Sequence, residues 1–284
     1  MKLVWPWCNA RVVSRHLHSV PLHFGSCGFA ISVLFSLSTL PNQTKQDNTK
    51  TKSSKMDSIK KITLYTYFRS SCSARLRIAL NLKSIPYTSI PINLLKNEQS
   101  SPDYNTINPS STVPSLIIEY HDPSQHTVTI TQSTAALEFL EEISPPPNSP
   151  ALLPTPSDPE IRATVRTLAS IIACDMQPVT NLRILKRVAP LGVDRNAWSK
   201  GLVEDGLRAY EAIVARTAGV FSVGDCITLA DVSLVPAVWG AERVGVDMGA
   251  FPTVKRVVER LEGEECVRRA HWRTQEDTPE EFRM

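Results

Sequence analysis

The stretch YFRSSCSARLRIAL, Tyr67 to Leu80, sets two serines and a cysteine between a β-like run and a basic helix. Upstream, ITLYTYF (Ile62–Phe68) is β-branched and aromatic with rough alternation, which predicts a strand. Downstream, Cys72, Leu76, Ala79 and Leu80 recur at helical spacing, and Ile78 and Leu82 form a second apolar face. A helix with two apolar faces is buried on both sides. The hydroxyls and the thiol therefore stand at a helix N-terminus, where free N–H groups and the helix dipole favour an anion.

Working outward, a helix is expected over Ser71–Lys83, a short strand over Tyr87–Ile92 and a short helix within Asn97–Thr106. Val113–Tyr120 and Thr127–Ile130 read as strands joined by a polar turn, and Gln132–Ile143 as a helix with Ala136, Leu137 and Leu140 inward. The order βαβ–α–ββα predicts an α/β layer with a small mixed sheet. Ser144–Pro159 then holds seven prolines in sixteen residues, which excludes helix and central strand and reads as a stiff linker. Beyond it the pattern is helical. Ile161, Val165, Leu168, Ile172 and Met176 form one seam; Val203, Leu207, Tyr210 and Val214 a second; Val254, Val257, Val258 and Leu261 a third. ITLADV opens another helix, with Thr228 as N-cap, Asp231 three positions on and Ile227 stapled to Val232. The expected division is a leader over residues 1–55, an α/β domain over 56–143, the linker over 144–159 and a helical domain over 160–284.

The net charge of +3 is uneven: the first 55 residues hold seven of the 31 Lys/Arg and one of the 28 Asp/Glu. The body is thus mildly acidic and lacks the basic footprint that nucleic-acid binding requires. Six scattered cysteines show no CxxC and no Cys/His cluster, so no metal site is expected. The longest apolar run, Phe29–Phe35, is too short to span a bilayer, and no membrane association is expected. Residues 1–55 fit a start at Met56 behind an over-extended leader, a mitochondrial transit peptide or, less well, a signal peptide. A cytoplasmic location follows from the first, a mitochondrial one from the second.

Ser70–Leu80 resembles the zeta-class signature of the cytosolic glutathione transferases, close to S-S-C-x-[WH]-R-x-R-I-A-L, with Ala74 departing at the aromatic position. PINLLK, INPSSTVPSL, TQSTAALEFLEE, MQPVTNLRILK, VGDCITLADVSLVPAV, AERVGVD and DTPEEF extend the likeness over essentially all of residues 60–284. The resemblance implies a thioredoxin-like domain binding glutathione, followed by a helical-bundle domain on the substrate side, and a homodimer. Isomerase members of the class convert maleylacetoacetate to fumarylacetoacetate in phenylalanine and tyrosine breakdown. There the thiolate adds to a cis double bond, the bond rotates, and thiolate leaves. The implied substrate partner is a small dicarboxylate.

Carried over residue by residue, the resemblance puts Ser70, Ser71 and Cys72 at the sulfur, with Ser73, Ala74 and Arg75 completing the loop. Gln99 and the Val113 backbone meet the glycyl and cysteinyl parts, beside a cis Pro114. Gln132 and Ser133 hold the γ-glutamyl end. Gln177, Asn181, Leu182 and Arg183 line the opposite wall, and Arg243 meets a substrate carboxylate. The residues alone leave other readings open: Ser70 and Ser71 as helix caps, Cys72 as a packed helix residue, Gln132 and Ser133 as a helix cap, Arg243 as a solvated charge, and Arg75 and Arg77 as structural. Competing functions are conjugation of α-halo acids, maleylpyruvate isomerisation, mixed-disulfide chemistry at Cys72, and a non-catalytic binding module.

Overall fold

The computed structural model of the chain describes residues 55–284; the expectations for the leader fall outside them, save for Lys55. β1 (Ile59–Thr66) pairs in parallel with β2 (Thr88–Pro91) and antiparallel with β3 (Ser115–Tyr120), and β4 (Val128–Ile130) completes the order β2-β1-β3-β4. A parallel pair needs a crossover. Helix α1 (Ser71–Leu82) supplies it. After β2 come α2 (Pro102–Ile107), β3, β4 and α3 (Ser133–Ile143). The helical layer holds α4 (Pro159–Ser170), α5 (Gln177–Thr180), α6 (Leu182–Val188), α7 (Arg195–Thr217), α8 (Leu229–Arg243), α9 (Pro252–Glu262) and α10 (Glu265–Ala270). This is the thioredoxin-like layer and helical bundle expected from the sequence.

Helix α1 is the central pillar. Every residue from Ser73 to Leu80 is buried, because α3 packs on one side and α8 and α10 on the other. The two apolar faces legible in the sequence thus meet two different layers. One apolar core runs through both, from Leu64 and Leu116 in the sheet to Leu207, Leu234 and Val257 in the bundle. Asp231, fully buried, accepts from the Thr228 N–H at 2.8 Å, the Thr228 hydroxyl at 2.9 Å and the Ser222 N–H at 2.8 Å. The cap expected from ITLADV therefore also ties down the loop before α8.

Three local expectations shift. The first strand ends at Thr66, and Tyr67 and Phe68 form a loop because their carbonyls turn to the Arg77 guanidinium. The seam beginning at Ile161 passes through a π-helical turn, Ile171–Met176, whose extra residue brings Ile171, Ile172 and Met176 all inward. The proline-rich stretch has no helix or strand, yet it is fastened. Lys83, buried at the end of α1, donates to Ser144 O and Pro150 O, both at 2.9 Å, and pairs with Glu141 at 2.8 Å. Replacing Lys83 by Met leaves those acceptors and the Glu141 charge without their cation. A loss of about 3 kcal/mol in urea unfolding is expected, with faster thermolysin cleavage at Leu152–Leu153. Unchanged cleavage would show that the clamp holds nothing.

Candidate active site

The loop from β1 into α1 places the sulfur-site candidates. Ser70 is the N-cap of α1, in an extended conformation, and its Oγ accepts the Ser73 N–H at 3.1 Å. With that acceptor engaged, the Ser70 proton is free to donate outward. Ser71 and Cys72 open the helix, both half-buried, and Cys72 is a free thiol. The capping and anion-binding readings of Ser70 are therefore compatible.

Two residues hold this loop from beneath. Arg77, fully buried, donates to Thr66 Oγ1 at 2.9 Å, Tyr67 O at 3.4 Å, Phe68 O at 3.1 Å and Ala270 O at 3.2 Å. Burial pushes its pKa down to about 10, which leaves it charged at neutral pH. Asp277, from the C-terminal segment, accepts the Phe68 N–H at 2.8 Å, and burial raises its pKa. Arg69 lies over Phe68 and Phe282, so the same segment also covers the residue before Ser70.

The Val113–Pro114 peptide is cis, as expected. Its loop is braced by buried Tyr104 and Asn108, each donating to Thr112 O at 2.8 Å, and by Ser115 Oγ. Among the described residues, no backbone hydrogen bond takes the Val113 N–H or C=O. Gln99 lies in a short 3₁₀ turn, with its Oε1 buried and unpartnered. These groups suit the backbone and end of an extended peptide.

Gln132 is the exposed N-cap of α3, and its side chain makes no cap bond. Ser133, the first residue of that helix, accepts from Arg75 Nη1 at 3.2 Å. That contact sets the N-termini of α1 and α3 side by side. Ser73, Ala74 and Arg75, expected to complete the loop at the sulfur, are at most 2% exposed, because this turn of α1 is enclosed by neighbouring helices.

In the helical layer, Gln177 opens α5 and Leu182 opens α6, both half-buried, while Arg183 is exposed. The Asn181 side chain is occupied with structure, accepting the Ile184 N–H at 3.1 Å and donating to Pro178 O at 2.8 Å. Lys186 on α6 reaches Asn97 Oδ1 at 2.7 Å, which brings this wall to the loop carrying Gln99. Arg243, exposed at the end of α8, shares its field with Arg69 and Tyr67 and lines a cavity of about 390 Å³ with Trp239, His271 and Trp272. Arg69 and Asp277 carried no assigned role in the sequence reading, whereas Arg77 was expected to be structural, as its four bonds show it to be. Only Arg69 had a local signal, its place beside Ser70. Among the described residues no group of three His, Cys, Asp or Glu could hold a metal, and no helix is long and apolar enough to cross a membrane.

His271 borders that cavity. Its Nδ1 accepts the Arg273 N–H at 3.2 Å, which requires the neutral ring. Burial, with Arg273 and Arg77 nearby, pushes its pKa down to about 4. Because the folded value lies below the unfolded one, the stabilisation is complete above pH 6.5 and lost as pH falls toward 4. A decline of roughly 2–3 kcal/mol across that window is expected in urea titrations. His271→Gln should flatten it; an equal decline in the variant would assign the effect elsewhere.

Residues 69–143 match the family model described as Glutathione S-transferase, N-terminal domain, and residues 199–265 match Glutathione S-transferase, C-terminal domain. Over 224 residues the chain is 72% identical to a maleylacetoacetate isomerase of Aspergillus fumigatus, spanning 79% of this chain and 96% of that protein. The chain belongs to the glutathione S-transferase family. This glutathione S-transferase is also 43% identical to the Mus musculus maleylacetoacetate isomerase over 222 residues, 78% of this chain and 96% of that one. A structure of the Anaeromyxobacter dehalogenans maleylacetoacetate isomerase with bound glutathione superposes with a TM-score of 0.70 at 37% identity, covering 78% of this chain and 99% of that one. The holo structure of a bacterial zeta-class maleylpyruvate isomerase gives a TM-score of 0.68 at 38% identity, covering 76% and 100%. The zeta class expected from Ser70–Leu80 is borne out.

Proposed function

We propose that this glutathione S-transferase isomerises maleylacetoacetate to fumarylacetoacetate using glutathione. The observation that carries this reading is the 72% identity to the Aspergillus fumigatus isomerase across 96% of its length. The residues present fit the tripeptide: among the described residues, Val113 offers an N–H and a C=O that no backbone bond takes, beside a cis proline, and Gln99 an unpartnered amide oxygen. When bound, glutathione supplies a thiolate that adds reversibly to the cis double bond and is not consumed.

The chain's own contribution is positional and electrostatic. The Ser70 hydroxyl donates toward the sulfur, and the start of α1 adds its N–H groups. Lowering a thiol from about 8.5 by two units requires roughly 2.7 kcal/mol of preferential stabilisation of the anion, a scale these donors supply. Ser71 and Cys72 flank that position as auxiliaries. Gln132 and Ser133 hold the γ-glutamyl end, and Gln177, Leu182 and Arg183 form the facing wall. Arg243, with Arg69, offsets the substrate carboxylates and the negative charge that develops on its carbonyl. A cytoplasmic homodimer, with glutathione bound by residues 56–143 and substrate approached from 160–284, completes the proposal.

A second reading, maleylpyruvate as substrate, is favoured by the 38% identity to the zeta-class maleylpyruvate isomerase. The test is turnover of both substrates by the full chain, with and without glutathione, beside a chloro-acid. Glutathione-dependent turnover of maleylacetoacetate ahead of maleylpyruvate supports the proposal. The reverse order moves the substrate, and conjugation of the chloro-acid alone replaces isomerisation by detoxification.

A further inference from the structure

Arg75 is 2% exposed, one turn into α1, and no described carboxylate forms an ion pair with it. Its Nη1 donates to Ser133 Oγ at 3.2 Å, while Nε and Nη2 are buried without partners among the described residues. A buried guanidinium with one neutral partner is costly, and among the described residues its charge is uncompensated. A guanidinium only donates. Ser133 Oγ must therefore accept on that side, and its own proton is directed to its remaining open side. The surrounding groups add donors of the same sense: Ser133 begins an 11-residue helix whose N-cap, Gln132, satisfies none of the first N–H groups with its side chain. A buried cation, a hydroxyl constrained to donate and free helix N–H groups converge on one place, and each favours an anion.

We propose that Arg75 is a positioning residue for glutathione recognition: it fixes the Ser133 hydroxyl as a donor and supplies the buried charge that selects the α-carboxylate of the γ-glutamyl end. This rests on the γ-glutamyl placement proposed above. The carboxylate meets Ser133 and the start of α3, and Arg75 acts through Ser133 without touching the ligand.

The test is calorimetric binding to the full chain of two probes: glutathione, and 4-aminobutyryl-cysteinylglycine, which lacks only that carboxylate. The unaltered chain is expected to prefer glutathione by about 100-fold. Arg75→Gln, which keeps a donor and removes the charge, should cut that preference about tenfold while leaving the affinity for the second probe unchanged. Arg75→Lys, which keeps charge and a donor, should retain most of it. Adding Arg75→Gln to Ser133→Ala should cost less than it costs alone, because the two act through one hydroxyl. Equal weakening of both probes in Arg75→Gln, or a preference left intact, would overturn the role of Arg75. If Arg75→Gln fails to fold, full preference in Ser133→Ala overturns the proposal, and loss of preference there with retention in Arg75→Lys supports it. No preference in the unaltered chain would instead overturn the γ-glutamyl placement itself.

Discussion

Ser70→Ala is expected to cut glutathione-dependent turnover several-fold at pH 7, up to a limit of about 25-fold if the α1 N–H groups hold none of the shift, and to let it recover toward pH 9. The figure follows from the thiolate fraction. A bound thiol near pKa 6.5 is about three-quarters ionised at pH 7, whereas one near 8.5 is about 3% ionised. The group is an acid whose pKa rises in the variant, so the rate should climb through pH 8.5 and approach the unaltered enzyme above it. The same substitution removes the Oγ that accepts the Ser73 N–H, costing about 1 kcal/mol of helix capping. Ser70→Asp separates the two effects: aspartate caps the helix as well as serine, but it brings a negative charge to the sulfur. It should fold normally and lose more activity than alanine. A pH–rate profile that drops without shifting in Ser70→Ala would transfer thiolate activation to Ser71, whose alanine variant should otherwise be the milder one.

Arg77→Lys carries the largest expected cost in stability. The guanidinium satisfies three carbonyls and a hydroxyl at once, joining the loop before Ser70 to the end of α10. An ammonium is a compact point charge and cannot reach four acceptors spread around a planar fork. Buried carbonyls left without donors cost about 1–3 kcal/mol each, so a loss of about 3–5 kcal/mol is expected in urea unfolding. Turnover should fall with it, because the loop that presents Ser70 loses its support. Asp277→Asn is the instructive companion. Burial already disfavours the Asp277 charge, and asparagine keeps an oxygen for the Phe68 N–H, so this variant should stay within about 1 kcal/mol. A large loss in Asp277→Asn together with a small one in Arg77→Lys would reverse the ranking and make the C-terminal carboxylate the principal anchor.

The contrast between these two residues shows where sequence reasoning works in this family member. Helix α1 was legible because burial on two faces writes itself into spacings of three and four residues, and Ser70 because an N-cap is a local chemical choice. The Thr228–Asp231 cap was legible for the same reason, since both partners lie within one turn. Gln99, Val113, Gln132 and Ser133 were assigned through family motifs, and the structure adds which of their polar groups are open. Arg77 read as structural with no partner in view, and its partners include Ala270, 193 positions away. Lys83 read as a helix end, and its partners lie beyond α3 in the proline-rich stretch.

The sequence by itself determined the local elements, their capping and the chemistry gathered at the head of α1, because those depend on residues a few positions apart. Only the tertiary structure decided that Arg75 stands behind Ser133, that Arg77 and Asp277 brace the loop from opposite ends of the chain, and that Asn181 is occupied as a cap. Each of these depends on which donor reaches which acceptor in a closed core. That pairing arises only when distant segments pack, and no periodicity along the chain records it.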